Sequence, residues 1–312
     1  MEQCALTKPK QETMTVISYD KCPLCKSSAI KKRFACIDNF ATKESFDIHE
    51  CEDCGFVFTH KFPDEKEIDR YYESPAYISH SNTSKGLVNS VYHLVRKIML
   101  QKKARKVEQL TGHKSGRLLD YGAGTGHFAR IMKSRGWDVA AIEKNGKARE
   151  LALREFGFEM QPVEALKAIK DKELDVVTMW HVMEHIQEPD NMWRELHRIL
   201  ADSGIAIIAV PNSASYDALN YKEYWAAYDV PRHLWHFTPD TIAQWGGKHG
   251  FTLDRQYTMP FDGFYISMLS EQYKGSRLHT AKGFWNGFKG WVAQWRRSSA
   301  SSSIIYVFRK KR

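Results

Sequence analysis

Along the second half of the chain, short apolar runs alternate with stretches of helical spacing. RLLDYG (117–122) has strand length, and GHFARIMKSRG (126–136) follows it with helical periodicity and ends at Gly136. WDVAAIE (137–143) and NGKARELALREFG (145–157) repeat the pair. FEMQPV (158–163), LDVVTMW (174–180) and GIAIIAVP (204–211) are three more strand-like runs, with DNMWRELHRIL (190–200) as the helix before the last. Uninterrupted apolar runs fit strands buried on both faces, and alternation with helices predicts a parallel sheet covered on each side. FTPDTIAQWGGKHG (237–250) reads as a helix starting near Thr238 and Asp240, and FTLDRQYTM (251–259) and SSIIYVFRK (302–310) as two closing strands. The expected fold is α/β: a doubly wound, mostly parallel sheet of seven strands.

The first third has a different rhythm. Residues 1–19 read as a loose tail, and 20–62 alternate polar and apolar in SFDIHEC and GFVFTH, as short strands do. Residues 63–108 form a connector whose latter part belongs to an amphipathic helix, VYHLVRKIMLQKKARKVEQL (91–110). The main domain then covers 109–312, interrupted at 261–300 by an insertion rich in aromatics. At 312 residues, a large domain with a small one in front is the natural division.

Composition adds little to this picture, but charge and cysteines add more. The formal net charge is +9, with Lys and Arg concentrated at 96–106 and in the terminal RKKR, which points to anionic partners or to a solvated basic face. MEQCALTKPKQETM has no apolar core of a secretory signal, and no apolar run approaches a membrane span. A cytoplasmic protein with reduced thiols is expected. Five of the six cysteines fall in 20–62, and CPLC and CEDC place Cys22, Cys25, Cys51 and Cys54 as two knuckles with 25 residues between. Four such thiolates close a tetrahedral zinc site with no open position, so this site reads as structural: a zinc ribbon. Cys36 lacks a partner in this pattern.

LLDYGAGTGHF sits where the first strand of the main domain meets its first helix. Gly122, Gly124 and Gly126 allow a tight turn and close approach of a ligand to the helix N-terminus. A dinucleotide fingerprint would carry Gly at 127, where this chain has His127. A cofactor ribose calls for a carboxylate at the end of the second strand, about 20 residues on, and Glu143 stands there. GxGxG preceded by Asp120 resembles motif I of the class I S-adenosylmethionine-dependent methyltransferases, over roughly residues 92 to 260 and the final strand. The resemblance implies S-adenosylmethionine as cofactor. Its methionyl end would lie on the glycines and its amino group toward Asp120. Its ribose would meet Glu143, its adenine Val163 and Glu164, and its sulfonium Trp180 and His181. Pro162 stands where many relatives carry Asp.

HVMEHI (181–186) spells H-x-x-E-H, a zinc-protease signature that needs a long helix and a distant third ligand. Here it follows a buried strand, and EPD starts another helix three residues on. WHVMEHI instead resembles the equivalent segment of small-molecule methyltransferases, among them the ubiquinone-biosynthesis O-methyltransferases. Glu184 and His185 there are either structural or catalytic. The N/D-P-P-Y/F tetrapeptide of enzymes that methylate base or glutamine nitrogens is absent.

YDVPRHLWHF (228–237) mixes residues that favour burial with Asp229, Arg232, His233 and His236, which do not. It lies beyond the fifth strand, on the edge of the sheet where open α/β folds bind ligands, and resembles a motif of bacterial methyltransferases of uncertain substrate. It reads as the acceptor side of an active site. His185, His233 and His236 are candidate bases, Asp229 orients one of them, and Arg232 grips an acidic group. The competing reading is a structural lid closed by Asp229 and Arg232.

The expected activity is methyl transfer from S-adenosylmethionine to a small-molecule or lipid-linked acceptor, most plausibly on oxygen. The alternative is an RNA methyltransferase that grips phosphates with the ribbon and the basic helix. A third reading is a zinc-dependent binding module. In the insertion, Trp285, Trp291 and Trp295 beside Lys289, Arg296 and Arg297 fit either core packing, the simpler reading, or a peripheral membrane contact without any transmembrane segment.

Overall fold

The computed structural model describes residues 15–72 and 87–311, with the backbone alone over 87–97. Most of the expected tail and the middle of the connector lie outside the described residues. The elements in chain order begin with five strands, β1 (Val16–Ile17), β2 (Ile30–Ile37), β3 (Ser45–Cys51), β4 (Val57–His60) and β5 (Phe62–Pro63). Helix α1 (Leu87–Thr111) leads into β6 (Arg117–Tyr121), α2 (His127–Ser134), β7 (Asp138–Ile142) and α3 (Gly146–Phe156). Then come β8 (Leu174–Trp180), α4 (Pro189–Ile199), β9 (Leu200–Pro211), α5 (Tyr216–Tyr221) and β10 (Trp235–His236). The chain ends with α6 (Pro239–Lys248), β11 (Phe251–Thr258), α7 (Asp262–Tyr273), α8 (His279–Arg296) and β12 (Ser303–Lys310).

Local chemistry fixes several boundaries. The Asn145 side chain accepts from Ala148 N to start α3, and Gly157 in the left-handed region ends it. Thr238 and Thr241 form a reciprocal cap ahead of α6, with Pro239 at its first turn.

The main sheet runs β11-β12-β9-β8-β6-β7. β7, β6, β8 and β9 are parallel, and β12 is antiparallel to both β9 and β11. The chain leaves β6 for β7 on one side and returns to β8 on the other, so the C-terminal end of β6 is the switch point where such sheets bind ligands. The sheet has six strands where the pattern predicts seven. Over 158–163 the chain makes one parallel bridge, Ile142 to Gln161, held by Glu143 N to Gln161 O and Gln161 N to Ala141 O. Pro162 carries no N–H, and a 3₁₀ turn (Val163–Ala168) starts immediately after it, so the ladder stops.

A second sheet runs β10-β4-β3-β2. Three of its strands come from the cysteine segment and the fourth, β10, from the decapeptide, with Trp235 opposite Phe58 and His236 opposite Val57. The two parts share a core: Phe56, Phe58 and Phe62 pack with Trp235, Phe237 and Trp245. The cysteine segment is therefore built into the main domain through a common sheet and a common aromatic cluster.

Candidate active site

After β6 the backbone turns into α2 through Gly122, Gly124 and Gly126, with φ of 74°, 55° and 75°. A Cβ on Gly122 would lie 2.4 Å from Val182 Cγ2, so only glycine fits there. A Cβ on Gly124 would meet nothing within 4 Å, which leaves the outer face of the loop open to a ligand. The Glu143 carboxylate closes the loop, accepting from Gly124 N at 2.7 Å and from Asn145 N at 2.8 Å. Burial raises its carboxyl above the ordinary range, with those backbone donors opposing. Each of its oxygens keeps a second lone pair for a ribose hydroxyl.

Asp120 is 1% exposed and accepts from Thr178 Oγ1 at 2.7 Å. Burial pushes its carboxyl up to about 7, with Thr178 and Lys103 pulling the other way. Lys103 of α1 places Nζ 4.3 Å from the Trp180 ring centre, and burial lowers its pKa against the opposing charges of Asp262 and Asp120. A cofactor ammonium beside Asp120 would give this buried carboxylate a charged partner. Trp180 lies edge-on to Phe128. Val163, half-buried, and Glu164, exposed, begin the 3₁₀ turn after the bridge.

The acceptor side begins at His181, whose φ of 58° marks the sharp exit from β8. Its Nδ1 lies 3.4 Å from Glu184 and its Nε2 3.4 Å from Asp262. Burial alone would lower its pKa, but the two carboxylates raise it to about 9, so His181 is a cation at neutral pH. Glu184 is fully buried, and among the described residues no donor of good hydrogen-bond geometry reaches either of its oxygens. Burial would raise its carboxyl, but His181, His185 and His233 outweigh that and lower it.

His185 and His233 meet edge to face, 4.6 Å between ring centres. Nδ1 of His185 faces Arg232 O at 3.0 Å and Nδ1 of His233 faces Ala227 O at 2.8 Å. A carbonyl only accepts, so each Nδ1 carries a proton, and in the neutral tautomer the lone pair is on Nε2. One ligating atom each from Glu184, His185 and His233 lies within 4.8 Å of the others, close enough to hold a metal ion. Burial and the neighbouring His233 push His185 down to about 4. Asp229 Oδ2 stands 3.9 Å from His233 Nε2.

Two expected site residues face elsewhere. Arg232, 2% exposed, donates to Asp229 at 2.6 and 3.0 Å, to Asp38 at 3.0 Å and to Tyr71 O at 2.9 Å. His236, 3% exposed, bonds Thr59 Oγ1 at 3.0 Å, and that hydroxyl gives its one proton to His233 O. Burial holds the His236 ring neutral. Through these partners Arg232 and His236 tie the decapeptide to the cysteine segment.

Four sulfurs converge at the ribbon. Cys22 Sγ to Cys54 Sγ is 3.6 Å and Cys25 Sγ to Cys51 Sγ 3.5 Å, with all four within 4.8 Å of one another. These spacings exceed a disulfide bond, about 2.05 Å. They match the edge of a tetrahedron around zinc at about 2.3 Å from each sulfur.

Comparison with known proteins bears on the same residues. Residues 95–256, over half of the chain, match a family model described as a methyltransferase domain. The chain belongs to the methyltransferase domain family. Ubiquinone biosynthesis O-methyltransferases of Psychrobacter arcticus and of Caulobacter sp. are 30% identical over 105 residues and 36% identical over 104. Each match takes in 31% of this chain and 41% of the relative, so the chain spans about two fifths of the length of these curated relatives. Among solved structures, phosphoethanolamine N-methyltransferase 2 of Haemonchus contortus in complex with S-adenosyl-L-methionine aligns with a TM-score of 0.50 at 17% identity. The alignment covers 82% of this chain and 63% of that one, and shows a shared fold. The cradle at β6 and β7 thus lies within the matched methyltransferase domain. Within that domain, sequence reasoning missed Lys103, and outside it Asp262, Asp38 and Thr59. None carries a local signal, since each acts on a residue distant along the chain.

Proposed function

We propose that this protein transfers a methyl group from S-adenosylmethionine to an oxygen of a small or lipid-linked acceptor. S-adenosylmethionine supplies the electrophilic methyl. Glu143 would hold the ribose, the three glycines would lie against the methionyl end, and Asp120 would hold its ammonium. Trp180 and Val182 exclude water from the transfer path. His233 takes the acceptor proton on Nε2, and the imidazolium that forms lies against Glu184 and Asp229. His185 is the weaker candidate, since a pKa near 4 makes it a poor base at neutral pH.

The observation that carries this reading is the convergence of the His185 and His233 rings on the buried Glu184 carboxylate, beside a glycine cradle of methyltransferase type. The four cysteines hold zinc in a structural role, on the support of their tetrahedral spacing. Incubation with radiolabelled cofactor and cell extract tests the assignment. Label should enter an extractable small-molecule or lipid fraction, and label confined to RNA would overturn it.

A further inference from the structure

Helices α7 and α8 fill the insertion and pack through glycine. A Cβ on Gly283 would fall 2.4 Å from Met268 Cα, and one on Gly287 2.7 Å from Phe264 Cα. The two backbones touch, so the large residues of α8 cannot share that face. They point outward, against the simpler expectation of core packing. Phe284 is 59% exposed, Trp285 57% and Trp295 73%. The rings form a ladder along the helix: Trp285 to Phe288 at 5.7 Å, Phe288 to Trp291 at 5.9 Å, and Trp291 to Trp295 at 4.6 Å between centres. Contiguous apolar surface of this kind is normally covered by something.

Charge identifies the cover. From Gln272 to Ala300 the sequence has no Asp or Glu, while Lys274, Arg277, Lys282, Lys289, Arg296 and Arg297 are all exposed. A second copy would bring like charges together. Nucleic acid needs ring faces open to bases, and here the faces of Trp285, Phe288 and Trp291 turn on one another. Acidic lipid headgroups would complement the cations while the rings enter the boundary with the acyl chains. No helix among the described residues is long and apolar enough to cross a membrane.

We propose that α8 seats the protein on an anionic lipid surface, lying in the plane of the interface. The same hairpin braces the acceptor side. Asp262 pairs with His181, Ser270 Oγ accepts from Ala226 N, and Asn286 donates to Tyr221. Resting on the methyl-transfer reading above, this places the acceptor wall next to the bilayer and favours an amphiphilic acceptor drawn from it.

Vesicle flotation of the full chain tests the seating, with phosphatidylcholine alone and with phosphatidylcholine mixed with phosphatidylglycerol. Two variants accompany it: Trp285→Ser/Phe288→Ser/Trp295→Ser, and Lys289→Glu/Arg296→Glu. Cofactor affinity is measured by calorimetry in the same preparations. The wild type should favour the anionic vesicles by ~10-fold or more, and each variant should lose that preference while binding cofactor normally. Three results would overturn the inference: no wild-type flotation, flotation unchanged by the ring substitutions, or ring-dependent binding to an RNA oligonucleotide or to a second copy instead. Because cofactor binding is read separately, a failure of flotation alone leaves the methyl-transfer reading standing.

Discussion

His233 combines an Nδ1 fixed by Ala227 O at 2.8 Å with the neighbouring carboxylates of Asp229 and Glu184. His233→Gln should lower turnover by about 100-fold or more while cofactor affinity is unchanged. Single-turnover kinetics beside calorimetry check both halves, and an intact rate would move the base to His185. At His181 the pKa is raised to about 9 by Asp262 and Glu184, although burial alone would lower it. A raised histidine contributes stability that is complete below its ordinary value, about 6.5, and is lost as pH climbs through the folded value. The thermal midpoint of the wild type should therefore exceed that of His181→Gln at pH 6 to 7, and the gap should close above about pH 9. A gap independent of pH would show that the pairing with α7 carries no charge.

At the scale of elements, β10 decides how the cysteine segment and the catalytic half are joined. Arg232 reaches Asp38 across 194 residues of sequence, with both side chains essentially buried. Asp38→Asn leaves Asp229 as partner, so the expected cost is about 1–3 kcal/mol, less than for an ion pair broken outright. Acceptor turnover should fall with it, because Arg232 O holds His185 and the same loop carries His233. Stripping metal from the four cysteines should raise amide exchange in β3 and β4 and also in Trp235 and His236, which share their sheet. Exchange confined to residues 20–62 would mean that the ribbon stands apart from the acceptor loop. The alternating pattern foretold the strands of the ribbon, but not this partnership. Two-residue β10 is too short to show a period, and its partner lies far away in sequence. The decapeptide nonetheless announced a conflict, with Arg232 and His236 set among large rings, and a buried polar network resolves it.

Over the whole molecule, the strand-helix alternation foretold the parallel sheet and two closing strands, because strands buried on two faces leave uninterrupted apolar runs. The third strand failed for a local reason: Pro162 ends the ladder after one bridge. The glycine loop and Glu143 were legible because close approach and hydrogen bonding impose residue types at fixed spacing. Lys103 was not, since on a basic helix only tertiary contact distinguishes the one lysine that meets Trp180. The α8 stripe was ambiguous for the same reason: a row of rings looks alike whether it faces inward or outward, and the glycines packed on α7 turn it outward. Calorimetric titration of S-adenosylmethionine into the zinc-loaded chain tests the central claim most directly, with Glu143→Ala alongside. One cofactor should bind per wild-type chain, and the variant should bind at least ~10-fold more weakly, about 1.4 kcal/mol. Absence of binding by the wild type, or equal affinity in the variant, would contradict the account.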